Sequence, residues 1–588
     1  MINITINGKT LEVEPGTTVL DAAKIVNIKI PTLCYNPDLT PWASCGICIV
    51  RLAGSAKMVR ACCTACEPNM SVITHDPEII AVRKTVLELI LSNHPDDCLQ
   101  CPRSHSCELQ DLAADFGIRE APFNKVKNNI PVDDSNPAIV LCPEKCIRCG
   151  RCVKVCQEVQ NVWALEFLGR GIKGKIASAA DSPLGDSPCI KCGQCAAHCP
   201  VGAIYERDDT VKVWNALQDP EKYPVVQIAP AVRVALAEEF GLESGTVFTK
   251  KIYAALRRLG FKTVFDTNFS ADLTIMEEGS ELVKRLTEKG DLPLITSCCP
   301  AWVDYLEKYY PDLIPNFSTA KSPQQMMGAM IKAYWAEKAA VDPGKVYSVS
   351  VMPCTAKKWE IRRNDDMKSA SNMLGKDTGY DVDIVITTRE LARMIKQAGI
   401  EILKLDDEEA DSPLGPYTGA GTIFGVTGGV MEAAVRSAYY LVTKKELPDV
   451  NYKAARGLDG VKEGEVDFGN GTKIRIAVAH QMGNIAAVLE KIREAKKAGK
   501  ELPYQFIEVM ACRGGCIAGG GQPYGCTDEI RSQRTRGLYS DDEKSKIRCS
   551  HQNPFIDQVY KEFLGEPGGH KAHKLLHTKY VERPLYIK

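Results

Sequence analysis

The chain has no apolar run approaching the roughly 18–20 residues needed to span a bilayer. Its first residues, MINITINGKT, alternate Ile with polar residues where a secretory signal would place basic residues ahead of an apolar stretch. The expectation is a soluble, cytoplasmic protein that does not meet a membrane. An excess of either charge is also missing: 73 Lys+Arg stand against 74 Asp+Glu, a net charge of -1. That balance gives no electrostatic reason to expect nucleic acid as a partner. A dinucleotide fingerprint is missing as well, for no G-x-G-x-x-G follows a strand-like run, and neither a flavin nor a nicotinamide site is evident. Cysteine, finally, is absent between Cys199 and Cys298.

What is present is cysteine everywhere else. Of 25 in all, eighteen precede residue 200 and seven follow Cys199. They are bunched at two- and three-residue spacing, the habit of metal ligands rather than of disulfide staples. With 588 residues the chain is long enough for about four domains, and 45% hydrophobic with 25% charged residues excludes long disorder.

Residues 2–13 alternate around an Asn-Gly turn and predict a β-hairpin. TTVLDAAKIVNI then opens with a Thr cap and has helical spacing, so a small β-grasp domain is expected over residues 1–78. A second domain, 79–138, begins with a helix ending at His94-Pro95, carries three cysteines and closes in the Pro/Asn/Asp-rich linker NKVKNNIPVDDSNP. Two Cys-dense blocks repeat in tandem within residues 139–209. From 210 to 588 strand-like runs (VVQIA, TVFD, LTIM, LPLITS, VYSVSVMP, DIVITT, IRIAVAH, YQFIEVMA) alternate with helical patterns such as AVRVALAEEF and KIYAALRRL. This is the α/β pattern of parallel sheet with crossover helices, large enough for two lobes, and its cysteines lie where strand-like runs end. The whole reads as a multidomain α+β and α/β protein.

Cys146, Cys149, Cys152 and Cys156 repeat the spacing of Cys189, Cys192, Cys195 and Cys199, each block being C-x2-C-x2-C-x3-C. At this chain's cysteine frequency the later three fall in place by chance about 8 times in 100,000. Three thiolates within seven residues hold three corners of a cubane while the fourth reaches across. Cys146, Cys149, Cys152 and Cys199 are therefore assigned to one 4Fe-4S cluster, and Cys189, Cys192, Cys195 and Cys156 to the other. A zinc module, the alternative, usually uses two separated C-x2-C knuckles. Upstream, Cys34, Cys45, Cys48 and Cys62 resemble the 2Fe-2S pattern of β-grasp ferredoxins; Cys63 competes as fourth ligand, and Arg-Ala-Cys favours Cys62 by the family spacing. His94, Cys98, Cys101 and Cys107 admit a histidine-ligated 4Fe-4S cluster, a Cys3His zinc site or a satisfied histidine at a helix end. Their place between a 2Fe-2S domain and two cubanes favours the cluster. Here residues 1 to about 210 resemble the large iron–sulfur subunit of respiratory NADH dehydrogenase.

Three more signatures follow: Thr296-Ser297-Cys298-Cys299-Pro300, Met352-Pro353-Cys354-Thr355-Ala356-Lys357, and Met510-Ala511-Cys512-Arg513-Gly514-Gly515-Cys516. Four thiolates from separate strand ends can hold one cubane, and a vicinal pair leaves one sulfur for another task. Across essentially its whole length the chain resembles the iron-only (FeFe) hydrogenases. That resemblance implies that Cys299, Cys354, Cys512 and Cys516 ligate the 4Fe-4S part of an H-cluster in the domain 210–588. Cys516 also bridges to a diiron subsite bearing CO, cyanide and a dithiolate. It implies that Cys298 hands on protons, that Lys357 faces a cyanide with Ala229, Pro230 and Gln324 around the cofactor, and that Met352 and Met510 pack against the diiron unit. A relay through Glu278, Ser318, Glu281 and Arg285 follows from the same matching, although a Glu-x2-Glu-x3-Arg face alone is usually solvated surface. Ala231 departs from relatives that carry Ser there. Gly419-x-Gly421 and Gly428-Gly429 match the family's segment near the H-cluster rather than a nucleotide loop. No role is assigned to Cys63, Cys66, Cys142, Cys526 or Cys549.

The expected activity is reversible 2H+ + 2e- to H2, fed by one 2Fe-2S and three accessory 4Fe-4S clusters, about 20 Fe in all with a six-iron H-cluster. An electron-transfer or assembly protein without the diiron site would not need Cys298 and Lys357, and an H2 sensor with low turnover would be expected to lose the Cys298 thiol. The NADH dehydrogenase-like half resembles the catalytic subunit of multimeric NAD-dependent, often electron-bifurcating, hydrogenases. It implies a flavin-bearing NAD(P)H-reacting subunit, a small 2Fe-2S subunit and ferredoxin as partners, while a stand-alone ferredoxin-dependent hydrogenase has nearly the same modules.

Overall fold

The computed structural model describes residues 1–120, 122–125, 130–288, 290–469, 471 and 473–587. Residues 126–129 of the linker thus lie outside the described residues. The chain divides into two units: the first comprises 1–159, 163–187 and 195–205, and the second 160–162, 188–194 and 206–588.

In the first unit the alternation at the N-terminus becomes the antiparallel pair Ile2–Ile6 and Lys9–Val13. Asn7 and Gly8, both at positive φ (48° and 80°), make the turn whose twist suits a two-residue hairpin. Ile2–Ile6 also pairs in parallel with Ser71–Ile73, and a five-stranded sheet is completed by Ile49–Leu52 and Met58–Arg60. The helix Val19–Ile25, capped by Thr18, which accepts from the Asp21 amide at 3.1 Å, buries Leu20 and Ala23 with Ile4, Ile6, Val50 and Val72. The helix expected after residue 78 runs Pro77–Ser92, with Asp76 as its cap.

The second unit holds two four-stranded sheets. One is all parallel in the order Thr263–Asp266, Tyr223–Ile228, Val346–Met352, Ile384–Thr387. The other runs Leu294–Ile295, Phe506–Met510, Lys473–His480 in parallel, with Val461–Asp467 as an antiparallel edge. Two expectations fail locally. LTIM is not a strand but lies inside the helix Thr267–Thr287, where it is framed by buried Ser270, Asp272 and Glu277. A four-residue apolar run cannot by itself distinguish strand from buried helix. AVRVALAEEF forms two 3-10 turns, Pro230–Val234 and Leu236–Phe240, rather than an α-helix. Its buried residues do not keep to one face: Pro230 through Val234, then Leu236 and Ala237, are all enclosed.

Candidate functional site

The two sheets of the second unit deliver their strand ends to one cavity. Ala229 and Pro230 follow Tyr223–Ile228, Pro353 and Cys354 follow Val346–Met352, Cys298 and Cys299 come shortly after Leu294–Ile295, and Cys512 and Cys516 follow Phe506–Met510. All of them line a cavity of about 80 Å³, several times the roughly 10–15 Å³ that one water needs. Met352, Met510, Gln324 and Lys357 line it too, as do Cys192, Thr267 and Phe424. Glycines let the backbone of this wall pack closely: Gly515 lies at φ 97°, and a Cβ there would come within 2.6 Å of the Thr427 amide nitrogen. A Cβ on Gly519 would meet the Pro353 carbonyl oxygen at 2.2 Å.

Among the described residues the cavity sulfurs do not gather in threes within 4.8 Å, as a single ion would require. The donor set therefore suits a large inorganic group. Burial and the neighbouring Cys299 push the Cys354 thiol up to about 12, and Cys516 is raised for the same reasons. Thiols that repel one another's charge in a dry cavity become thiolates only when iron supplies the positive charge. Gln324 aims a buried Oε1 with no partner among the described residues.

Lys357 is the cation on the cavity wall. Its Nζ donates to the Cys298 carbonyl at 3.2 Å and pairs with Glu360 at 2.9 Å. Glu360 in turn accepts from Ser322 Oγ at 3.0 Å and Gln324 Nε2 at 2.9 Å. The sequence sets Glu360 three residues beyond Lys357 without showing its task, because its other partners come from a distant segment. Gln194 carries no signal in the sequence either; its Nε2 donates to Cys512 Sγ at 3.2 Å and to the Ala518 carbonyl at 3.1 Å. Ala231 is fully buried on the cavity wall.

Glu278, Glu281 and Arg285 share one face of Thr267–Thr287. Arg285 pairs with Glu281 at 2.6 Å, and Ser318 Oγ donates to Glu281 at 3.0 Å. Ser318 is placed by its amide, which donates to the Ile295 carbonyl at 2.8 Å beside the strand that leads to Cys298. Both Glu278 oxygens are buried without a hydrogen-bond partner among the described residues, and burial pushes this carboxyl up to about 8.

In the first unit Cys146, Cys149, Cys152 and Cys199 line one small apolar pocket with Ile147, Ile176 and Val201. The remaining tandem cysteines are divided, Cys156 and Cys195 in the first unit, Cys189 and Cys192 in the second. In the β-grasp region the Cys45 amide donates to Cys34 Sγ at 3.5 Å, and Cys48 and Cys62 are buried together in the same core. Cys63 is exposed, with its thiol toward the Arg60 carbonyl. His94 is held neutral, burial pushing it down to about 4, and its buried Nδ1 has no partner among the described residues. A neutral imidazole with a free ring nitrogen suits ligation. Of its companions, Cys107 is buried, Cys101 partly so and Cys98 exposed.

Comparison with known proteins gives a consistent set of matches. The family model described as iron only hydrogenase large subunit, C-terminal domain, matches residues 222–520, and that described as iron hydrogenase small subunit matches 528–583. A 2Fe-2S iron-sulfur cluster binding domain matches 1–77, an NADH-ubiquinone oxidoreductase-G iron-sulfur binding region matches 83–122, and a 4Fe-4S dicluster domain matches 145–204. The chain is 47% identical to the NADP-reducing hydrogenase subunit HndD of Solidesulfovibrio fructosivorans over 99% of both chains. It is 41% identical to iron hydrogenase 1 of Clostridium pasteurianum, over 99% of this chain and 100% of that one. A solved FeFe-hydrogenase of Chlamydomonas reinhardtii superposes with a TM-score of 0.56 at 43% identity, covering 64% of this chain and all of the other.

Proposed function

The chain belongs to the iron-only (FeFe) hydrogenases, and from that premise we propose that it catalyses reversible 2H+ + 2e- to H2 at an H-cluster held by Cys299, Cys354, Cys512 and Cys516. The observation that carries this assignment is their convergence, with Cys298 and Lys357, on one cavity. When bound, the H-cluster supplies the redox-active iron at which H2 is made and split. Cys516 would be one of the thiolates that hold it. Lys357, fixed by Glu360, presents a full positive charge to an anionic ligand in apolar surroundings, where a neutral donor would leave that charge poorly compensated. Met352 and Met510 close the space with soft, apolar contact, and Ala229, Pro230 and Gln324 complete the wall.

Cys298 is the proton donor to this cavity. Glu278, protonated near neutral pH, carries the proton between Cys298 and Ser318, and Glu281 with Arg285 leads it outward. Ser318 and the Ser297 backbone both lie beside the Glu278 carboxyl, which places it between the Cys298 segment and Ser318.

Clusters that would carry electrons toward the cavity would be held by four accessory ligand sets: Cys34, Cys45, Cys48 and Cys62; His94, Cys98, Cys101 and Cys107; and the two cubane sets. Four domains, 1–78, 79–138, 139–209 and 210–588, are the corresponding division. We read the protein as the catalytic subunit of a complex that draws on NAD(P)H through a flavin-bearing subunit, with a small 2Fe-2S subunit and ferredoxin as further partners and with electron bifurcation as the coupling. The full-length likeness to a subunit of an NADP-reducing hydrogenase supports this reading. A second reading is a ferredoxin-dependent enzyme acting alone, for which the same modules would serve.

The division of labour in the vicinal pair is tested by two variants. Cys298→Ala should keep the infrared bands of the H-cluster and lose at least about 100-fold in turnover, since general acid transfer is lost but no ligand is. Cys299→Ala should lose the bands. Exchanged phenotypes would show that the roles within the pair are reversed.

A further inference from the structure

Cys549 takes no part in any cluster set above, yet its sulfur is buried beside two other metal-ligating side chains. The helix Gly429–Thr443 ends at Lys444, whose left-handed backbone (φ 55°) turns the chain back. Glu446 then faces His551, which stacks on Tyr440 with ring centroids 4.3 Å apart. His551 Nε2 lies 3.2 and 3.1 Å from the two Glu446 oxygens, and its Nδ1 lies 3.1 Å from Ser437 Oγ. One ligand atom each from Glu446, Cys549 and His551 falls within 4.8 Å of the others, the one such group of three among the described residues.

We propose that Glu446, Cys549 and His551 form a zinc site. A tetrahedral zinc with N and O ligands at ~2.0–2.2 Å sets them about 3.3 Å apart, and a sulfur at ~2.3 Å lies about 3.6 Å from the nitrogen. The His551–Glu446 separation of 3.1–3.2 Å already lies close to the first of these edges, and the sulfur lies within 4.8 Å of both. The Ser437 contact suits a tautomer with hydrogen on Nδ1 and the Nε2 lone pair toward the metal, since a hydrogen bond at the second ring nitrogen fixes the tautomer of a zinc-bound histidine. A hydrogen-bonded His–Glu pair alone would account for two of these residues. It leaves unexplained a 3% exposed thiol at the same point. Neighbouring Arg436 and Arg548 do not oppose a cation, since both are held by Asp542, at 2.9 and 2.6 Å, and Arg436 also by Glu432 at 2.8 Å. Binding displaces the thiol proton to solvent, and water completes the shell on the exposed Glu446 side.

The site has a structural meaning. Glu446 lies in the segment matched by the large-subunit model, Cys549 and His551 in that matched by the small-subunit model. Zinc would pin the one to the other within a single chain.

The test uses matured holoenzyme treated with a chelator, reloaded with Zn2+ and freed of excess by gel filtration. One zinc per chain is expected, with a zinc K-edge spectrum containing one sulfur at ~2.3 Å. Cys549→Ser and, separately, Glu446→Gln should each weaken zinc binding at least tenfold while iron content and H2 turnover stay at wild-type values. Retained iron content shows that these variants fold. Zinc bound equally well by Cys549→Ser, a first shell of nitrogen and oxygen only, or no zinc retained by the wild type would each overturn the proposal.

Discussion

Glu278 is 1% exposed and, among the described residues, neither of its oxygens has a hydrogen-bond partner. Burial raises its pKa from 4.5 to about 8, so between those values the folded chain holds a proton that the unfolded chain has released. Stability therefore falls as pH rises through that window, because the folded state binds more protons. Glu278→Gln, which is neutral at every pH, should flatten this part of the stability curve, measured as thermal unfolding by circular dichroism against pH. The same variant should cut H2 evolution by roughly 100- to 10,000-fold, the range for loss of a general acid, while leaving the infrared bands unchanged. Unchanged turnover would remove Glu278 from the relay. At this scale the sequence is most legible where spacing is local. The cubane blocks, the vicinal pair and the Lys357 motif all announce themselves within a dozen residues. Glu360 does not, since what it does depends on Ser322 and Gln324, residues that only the fold brings to it.

Among the elements, the helix Thr267–Thr287 does most to place the site. It begins at the end of one parallel strand, with Asp266 as its cap, and carries Glu278, Glu281 and Arg285 along one face. It is also the element least legible in the sequence. Buried polar residues such as Ser270, Asp272, Thr274 and Glu277 erase the apolar stripe by which a helix is recognised. Their partners explain the exception. Asp272 accepts from the Thr418 hydroxyl at 2.6 Å and amide at 2.9 Å, from Ser550 Oγ at 2.8 Å and from Asn553 Nδ2 at 3.0 Å. One carboxylate thus fastens two distant segments to the helix. Asp272→Ala would leave those donors unpaired in the interior, at a cost of about 3–5 kcal/mol. The expected reading is a marked fall in the temperature of half-inactivation, with iron content normal in enzyme kept cold; a change of a degree or less would refute the claim. The longer parallel strands, by contrast, are legible in the sequence, because Val-rich runs such as Val346–Met352 are buried at every residue but Tyr347, whereas of the run LPLITS only Leu294–Ile295 forms a strand.

For the molecule as a whole, the proposed ligand sets imply about 20 iron atoms per chain. Zinc in the His94 site, or only two accessory cubanes by EPR on matured protein, would reduce that number. The order of the sets along the chain suggests where electrons enter. Cys34, Cys45, Cys48 and Cys62 lie in the segments that connect the elements of the N-terminal sheet, far in sequence from the catalytic cysteines. An entry cluster must come close to its partner's flavin. Removing the whole N-terminal region is a blunt test of this idea, since within the first unit Trp42 stacks on Phe167 and Arg151 donates to the Tyr35 carbonyl at 2.7 Å. The double variant Cys45→Ser, Cys48→Ser removes two ligands and leaves those contacts in place. If this set is the entry point from a flavin-bearing subunit, H2 formation linked to NAD(P)H in the reconstituted complex should vanish. Dithionite-driven H2 formation through a small dye should persist, because the dye can reduce the remaining clusters directly. Equal loss of both activities would mean that the variant damages the chain rather than the connection. Full retention of NAD(P)H-linked activity would place the entry point at another cluster, and a wild-type chain purified alone and fully active with ferredoxin would favour the independent enzyme over the complex.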